Sequence, residues 1–503
     1  MLGTLRSKID WAIIIIIVVN GIRGVLSAFP ISLSWDEAVY SNMASDFYYF
    51  GFYCWQPFQV LLDFSRVPVL YFSIYLAYLI TTPSVIVAQE VSFLISIGGV
   101  YAVYLLGKEM YSSTVGKFSA LALSCGVTFI VICWGILSEV PFILISALFL
   151  LFIVRAQKNP KYYVPAGIFL TLSFLSRYPG GSVLFVGLFY IFFSKNAKKT
   201  FKSPWFYLGI ICAFLTLFPW LFYSEIVTGD WLGMLKLFFA STQTYIRTIY
   251  TNPFVPPTLL DFVSFYSESA LYAVLPIFTP SLLFPYFYFT LKSKKSVADK
   301  TLIFWILSSM LLYFILMSNS RLVDLFRYNQ SSLPAFSVLT GLGLTMLLTD
   351  EYKERSQAIK SRSKNIFMKS KKLAILLVII NISVGFMGVY FVRTNSEVYN
   401  PIPVYDYLKY TTPPWQLIIT NVYPMVRIYT DRLCVFTPNF PEWMDGWAKS
   451  GYVRAVFISL YDYVPIPILS DLESNPLYYK ELVIPDYRTG LPTMIVYGIN
   501  SSI

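Results

Sequence analysis

Histidine is absent from all 503 residues. With it go the commonest general base near neutral pH, the usual pH switch and the commonest metal ligand. Proton transfer in this chain therefore falls to carboxylates, Tyr or Lys. Cysteine is scarce and scattered, at Cys54, Cys125, Cys133, Cys212 and Cys434, with no CxxC pair, so neither a zinc site nor a redox couple is indicated. Cys125, Cys133 and Cys212 lie in apolar runs and pack there; a pairing of Cys54 with Cys434 is left open. Charge is scarce too, at 13% of residues, where soluble domains carry about 25%. No GxxxxGKS/T, no DFG set and no HExxH occurs, so no motif points to cytoplasmic nucleotide chemistry or zinc hydrolysis.

What is present is hydrocarbon. Residues with apolar side chains make up 56% of the chain, which reads as a polytopic α-helical membrane protein seated in a lipid bilayer. The net charge of +11 implies no nucleic-acid partner, because 23 of the 38 Lys and Arg fall in six short clusters between apolar runs. These are Arg6 and Lys8; Lys108 and Lys117; Arg155 to Lys161; Lys195 to Lys202; Lys292 to Lys300; and Lys353 to Lys372. Cytoplasmic loops carry such an excess.

Putting all six clusters on the cytoplasmic side decides the topology. The segment 67–80 is apolar, but a full crossing there would invert every later loop. It is also short of the roughly 20 residues a span needs, so it is expected to be re-entrant or interfacial within an external loop, 30–85. The expected spans are 11–29, 86–106, 118–135, 139–154, 162–176, 179–194, 204–223, 269–291, 301–318, 330–349 and 373–392. That is eleven crossings, or up to 13 if 226–268 adds a pair, with a cytoplasmic N-terminus. The first run is too long for a signal-peptide core and lacks a small-residue cleavage site after it. After Arg393 the chain turns polar, and short β-rich runs at 416–420, 433–437, 454–460 and 493–499 alternate with helix-like stretches. Residues 394–503 are thus expected to form a small extracytoplasmic α/β domain with a partly parallel sheet, following a membrane domain over 1–393.

Several groups have the chemistry for a site. Asp36 and Glu37 are adjacent carboxylates just beyond the first span. Partly buried together, they cannot both keep ordinary acidities, so one serves as base while the other binds or orients; equally, SWDE is an acidic helix start. Glu139 sits at the mouth of the fourth span, where ionisable groups are often functional. Arg66, Arg177 and Arg327 are external cations, and Arg23 lies within the first span, where an Arg is costly unless paired. An Arg fork matches a pair of phosphate oxygens, so these residues suit the head group of a phosphorylated lipid; for Arg177 and Arg327 interfacial anchoring competes.

The segment SWDEAVYSNMA resembles the acidic motif of the GT-C glycosyltransferases, in the branch of dolichyl-phosphate-mannose protein mannosyltransferases and bacterial lipid A aminoarabinose transferases. YLLGKEMYSSTVGKFSALAL, SEVPFILISALFLLF, LSFLSRYPGGSVLF and FRYNQSSLPAFSVLTGLGL follow in the order that branch has them, over about residues 10–350. The resemblance implies a GT-C fold. It also implies an inverting enzyme that moves a sugar from a polyprenyl-phosphate donor to a hydroxyl of a protein, lipid or glycan acceptor outside the membrane. It makes Asp36 the general base with Glu37 beside it, Arg66 a donor-phosphate residue, and Glu139 the second acidic position, where many members have Asp. No WWDYG-like signature occurs, so transfer of a whole glycan to Asn is not implied. No metal and no cofactor is implied. Two other classes share parts of the pattern: a transporter or flippase for a lipid-linked or small substrate, and a receptor whose external domain binds a partner.

Overall fold

The computed structural model describes residues 11–27, 35–51, 66–126, 129, 132–133, 135–238, 296–316, 329–349, 402–437, 441–460, 466–485 and 492–500. The expected spans at 269–291 and 373–392, and Cys54, lie outside the described residues. In chain order the helices are α1 (Trp11–Ser27), α2 (Trp35–Phe50), α3 (Pro68–Tyr78), α4 (Val85–Met110), α5 (Ser113–Cys125) and α6 (Glu139–Ala156). Then come α7 (Tyr163–Ser176), α8 (Val183–Phe193), α9 (Ala197–Phe201), α10 (Pro204–Thr228), α11 (Val297–Leu316) and α12 (Leu333–Leu348). The C-terminal region runs α13 (Ile402–Thr411), β1 (Leu417–Thr420), α14 (Tyr423–Thr430), β2 (Leu433–Phe436), α15 (Pro441–Lys449), β3 (Val453–Ser459), α16 (Ile466–Ser474), β4 (Tyr478–Pro485) and β5 (Pro492–Ile499). Among the described residues α4, α6 and α10 are long and apolar enough to cross a membrane, and shorter apolar helices accompany them. The protein is an integral membrane protein with a small C-terminal sheet domain. It divides into two compact units, one of Met1–Phe29, Ser65–Ser73 and Gln89–Arg393, the other of Pro30–Phe64, Ile74–Ala88 and Thr394–Ile503.

The first unit is a helical bundle held by close backbone approaches, as expected where lipid supplies no hydrophobic drive between helices. The α4–α5 hairpin turns at Ser112, whose Oγ accepts from the Val115 amide at 3.3 Å. Just beyond, Gly116 lies so close to α4 that a Cβ there would sit 2.5 Å from the Tyr104 carbonyl oxygen. Gly167 of α7 and Gly209 of α10 meet in the same way, with a Cβ on Gly167 falling 1.9 Å from the Gly209 oxygen. Thr171 Oγ1 donates to the Ala213 carbonyl at 2.8 Å along the same seam. The core between helices is filled by Trp305, Phe142, Leu150, Val186, Leu339 and Leu342. Within the expected span 118–135 the helix is interrupted: α5 stops at Cys125, where Gly126 leaves helical geometry for an extended one, and Phe129 and Ile132 are again helical.

Four of the six basic loops meet at one end of this bundle. Glu109, at the end of α4, pairs with Arg155 at 3.4 Å and Lys158 at 2.6 Å, both at the end of α6. Ser194 Oγ donates to Gln157 Oε1 at 2.8 Å, and Tyr163 shares a hydrogen bond with Thr200 at 2.7 Å. Tyr111 donates to Asp299 at 2.8 Å, and Asp299 also accepts from the amide and hydroxyl of Ser296, each at 2.7 Å. Ser296 returns the favour to the Asp299 amide at 3.1 Å, a reciprocal cap that starts α11. The positive loops are therefore neighbours in space as well as alike in charge.

The second unit holds a five-stranded sheet in the order β2-β1-β3-β5-β4. β1 pairs in parallel with β2 and β3, while β5 is antiparallel to both β3 and β4. The sheet is thus partly parallel, and four of its strands fall on the β-rich runs of the sequence. Alternate side chains serve two faces. Val456 and Ile458 pack with Met444 of α15 and with Ile468 and Leu472 of α16. Phe457, between them in sequence, meets Tyr405 of α13 edge-on at 6.2 Å, and Tyr405 stacks on Tyr429 of α14 at 5.1 Å. Cys434 on β2 is a free, buried thiol whose pKa is pushed up to about 12 by burial.

On the side of the sheet that carries α15 and α16, Tyr478 donates to Asp445 at 2.7 Å, and Asn475 donates to Asp445 at 3.0 Å and to Asp471 at 3.2 Å. Burial, followed by the charges of Asp445 and Glu442, holds the Asp471 carboxyl above its usual range, against the opposing pull of Asn475. A carboxyl with a raised folded pKa binds its proton more tightly folded than unfolded. Its contribution to stability is complete below the unfolded value of about 3.9 and is lost as pH rises through the folded value. Asp471→Asn should therefore raise the thermal midpoint of this domain at pH 7 and leave it nearly unchanged near pH 3.5, as melts at the two pH values would show.

Candidate active site

Asp36 and Glu37 occupy the first turn of α2, where amides without intrahelical acceptors and the positive end of the helix dipole favour negative charge. Both side chains are half-buried. Behind them the helix is enclosed over most of its girth: Ala38, Val39, Tyr40, Met43, Ala44 and Phe47 are buried. The acidic pair thus projects from a helix with little freedom of its own.

Two polar contacts within the second unit hold α2. Ser41 Oγ lies 3.3 Å from the Tyr78 hydroxyl, which donates to the Ser84 carbonyl at 3.1 Å. With the single Tyr78 proton committed to that carbonyl, Ser41 is the donor to Tyr78. Further along, Asp46 receives both ends of the Arg427 guanidinium: Nη1 reaches Oδ2 at 3.2 Å and Nη2 reaches Oδ1. The Asp46 side chain is 2% exposed and that of Arg427 14%, so this is a buried ion pair and not a screened surface one. It joins α2 to α14 of the sheet domain. Asp46, Tyr78 and Arg427 belong to no motif in the sequence. The only signal was a charge inside an otherwise apolar pattern, in SNMASDFYYF and YPMVRIYT.

Glu139 opens α6, and Arg177 caps the C-terminus of α7. Their charged atoms lie 3.4 Å apart (Arg177 Nη1 to Glu139 Oε1), with both residues buried, and Ser138 donates to the other carboxylate oxygen at 3.3 Å. The turn RYPGG creates this meeting. Arg177 is extended, and its carbonyl accepts from the Gly180 amide at 2.7 Å. The chain then passes so near α7 that a Cβ on Gly180 would fall 2.3 Å from the Ser173 oxygen. Tyr178 packs against Phe174 at 5.3 Å and Phe238 at 4.9 Å. Glu139 and Arg155 stand at opposite ends of α6, about 24 Å apart at 1.5 Å per residue. The acid–arginine pair therefore marks the end of the bundle away from the basic loops.

Of the remaining expected cations, Arg66 stands immediately before α3 and is half-buried. α3 itself has 11 residues, about 16 Å of helix, or half the hydrocarbon thickness. Arg23 is on α1, but its side chain lies outside the described residues, as does Arg327. The structure brings together Asp36 with Glu37, and Glu139 with Arg177; it gives Arg177 a carboxylate partner within the protein.

Over residues 65–223 the chain matches the family model for dolichyl-phosphate-mannose-protein mannosyltransferase. No curated protein matches it in sequence. The fold is similar to that of ArnT from Cupriavidus metallidurans bound to undecaprenyl phosphate, with a TM-score of 0.64 at 13% identity over 96% of this chain and 97% of that one. It is also similar to the archaeal oligosaccharyltransferase AglB from Archaeoglobus fulgidus in complex with an inhibitory peptide and a dolichol-phosphate (TM-score 0.53, 14% identity, 90% of this chain and 69% of that one). A third likeness is to the arabinofuranosyltransferase AftD from Mycobacteria (TM-score 0.53, 11% identity, 97% and 40%). These likenesses are of fold, and the fold is the GT-C fold that the sequence resemblance implied.

Removing Glu139 alone strands a buried guanidinium, so Glu139→Ala should cost about 3–5 kcal/mol, seen as a lowered melting midpoint in detergent. Replacing both partners, as in Glu139→Leu with Arg177→Met, should recover most of that loss. Activity lost in the stable double variant would then report on chemistry and not on folding.

Proposed function

We propose that this chain is an integral-membrane inverting glycosyltransferase that moves a sugar from a polyprenyl-phosphate carrier to an acceptor hydroxyl on the extracytoplasmic side. The observation that carries the reading is the acidic pair on the first turn of a tightly seated helix, within a fold shared with proteins that hold undecaprenyl phosphate and dolichol-phosphate. Asp36 takes the proton of the acceptor hydroxyl as its oxygen bonds to the anomeric carbon. The bond from that carbon to the phosphate oxygen breaks in the same displacement, so the configuration inverts. Glu37 hydrogen-bonds the sugar or orients Asp36. Arg66, with Arg23 and Arg327, balances the charge that grows on the departing lipid phosphate. Arg177 serves by neutralising Glu139, and the pair shapes the end of the bundle remote from the basic loops.

The reading sets those basic loops and the N-terminus in the cytoplasm, with the sheet domain outside, and uses neither metal nor cofactor. Sugar and acceptor are hexose or pentose and protein, lipid or glycan, respectively. A transporter has no need of an acid pair on a buried helix and is not favoured by the family match.

Purified protein offered a panel of polyprenyl-phosphate sugars should release free lipid phosphate with one of them. Asp36→Asn should lower kcat by about 10²–10⁴-fold, the usual share of acid–base help, with donor binding intact; near-normal turnover would remove Asp36 as the base. Arg66→Ala should raise the donor Kd by about tenfold, roughly one charge-assisted contact. Unchanged donor affinity would take Arg66 off the phosphate.

A further inference from the structure

We infer that Arg427, in the C-terminal sheet domain, is a positioning residue for the acidic pair, acting through Asp46 to set the rotation and height of α2. The inference rests on the reading of Asp36 and Glu37 as reacting groups.

The geometry is that of a two-point mount. Ser41 and Asp46 are five residues apart, so their contacts leave α2 at directions about 140° apart around its axis. A helix gripped on one face can roll; one gripped on two faces that far apart can neither roll nor slide. Asp46 stands ten residues beyond Asp36, about 15 Å along the helix, so a small rotation at the clamp becomes a misdirected carboxylate at the first turn. The clamp has the chemistry for this task. A guanidinium fork engaging both carboxylate oxygens fixes angle as well as distance, which an ammonium cannot do. Asp46 is buried and Arg427 half-buried, and an ion pair so largely withdrawn from water seldom stabilises more than apolar side chains of like size would; what it supplies is a defined register. Arg427 is itself anchored, since α14 follows directly from β1 and carries Tyr429, stacked on Tyr405. The sheet domain is on this view the mounting of the catalytic helix, whatever acceptor it also meets.

The test uses the full-length protein in the lipid-phosphate release assay. Wild type, Arg427→Gln, Arg427→Lys, Asp46→Asn with Arg427→Gln, the exchanged pair Asp46→Arg with Arg427→Asp, and Asp36→Asn are compared. Arg427→Gln should lose about 10²-fold in kcat, the cost of a misplacement near 1 Å, while donor KM moves less than about threefold. Arg427→Lys keeps the charge without the fork and should lose about tenfold. The exchanged pair should regain at least about tenfold over Arg427→Gln. Amide hydrogen exchange should show α2 less protected in Arg427→Gln, a readout independent of catalysis. Should Arg427→Gln not fold, the neutral double variant Asp46→Asn with Arg427→Gln leaves no charge buried and takes its place. A folded Arg427→Gln or neutral double variant with wild-type kcat overturns the inference, as does an exchanged pair that folds and regains nothing. A fully active Asp36→Asn would instead overturn the functional reading, and the exchange data would still report whether Arg427 seats α2.

Discussion

A carboxylate removed from water must be met by a cation or by several donors, or it will not stay ionised. Among the described residues three carboxylates are buried, and each has a partner from elsewhere in the chain. Asp299 collects the amide and hydroxyl of Ser296 and the hydroxyl of Tyr111, 188 residues away. Glu139 takes Arg177, and Asp46 takes Arg427. Apolar packing fills the bundle and the sheet, but it is indifferent to small shifts along a seam. The paired charges are not, and they fall where register matters: at the end with the basic loops, at the end away from them, and on the helix with the acid pair Asp36-Glu37. Asp36 and Glu37 differ from these three in being only half-buried, with water or a substrate within reach.

The first unit is polarised along its helices. Its basic loops converge through Glu109, Gln157, Thr200 and Asp299, while Glu139 and Arg177 stand at the far end of α6. That separation gives a membrane two unlike faces to work with. One is a dense positive rim suited to a leaflet with anionic lipid; at the other the buried Glu139 is met by Arg177 within the protein.

Much of this was legible before any coordinates. Apolar run length marked α4, α6, α7, α8, α10, α11 and α12, because the hydrocarbon core imposes length directly; the five-residue α9, inside a basic loop, carried no such signal. Charge clustering grouped the loops, and β-branched runs marked β1, β2, β3 and β5. β4 escaped because Lys480 and Glu481 interrupt it, and an edge strand tolerates charge that a central strand does not. The early stop of α5 escaped because Gly126 is a weak signal inside an apolar run. The ion pairs escaped for a different reason. Sequence shows that Arg177, Glu139, Asp46 and Arg427 are charges in unwelcoming surroundings, but their partnerships are tertiary facts, carried by a tight RYPGG turn in one case and by the whole sheet domain in the other. The acid pair Asp36-Glu37 could be read as a site; that its helix is bolted to the C-terminal domain could not.

That bolt has a consequence for how the protein comes into being. Asp46 and Arg427 are 381 residues apart, so at about 5–20 residues per second the ribosome needs roughly 20–75 s between making one and making the other. During that interval α2 is outside its final seat, with its anchor not yet synthesised and most of the membrane helices still to be inserted. A nascent or truncated chain would carry Asp36, Glu37, Asp46 and Glu139 and yet leave α2 without its Arg427 anchor. On the proposed function, competence arrives late, when the sheet domain that carries Arg427 has been made and has folded.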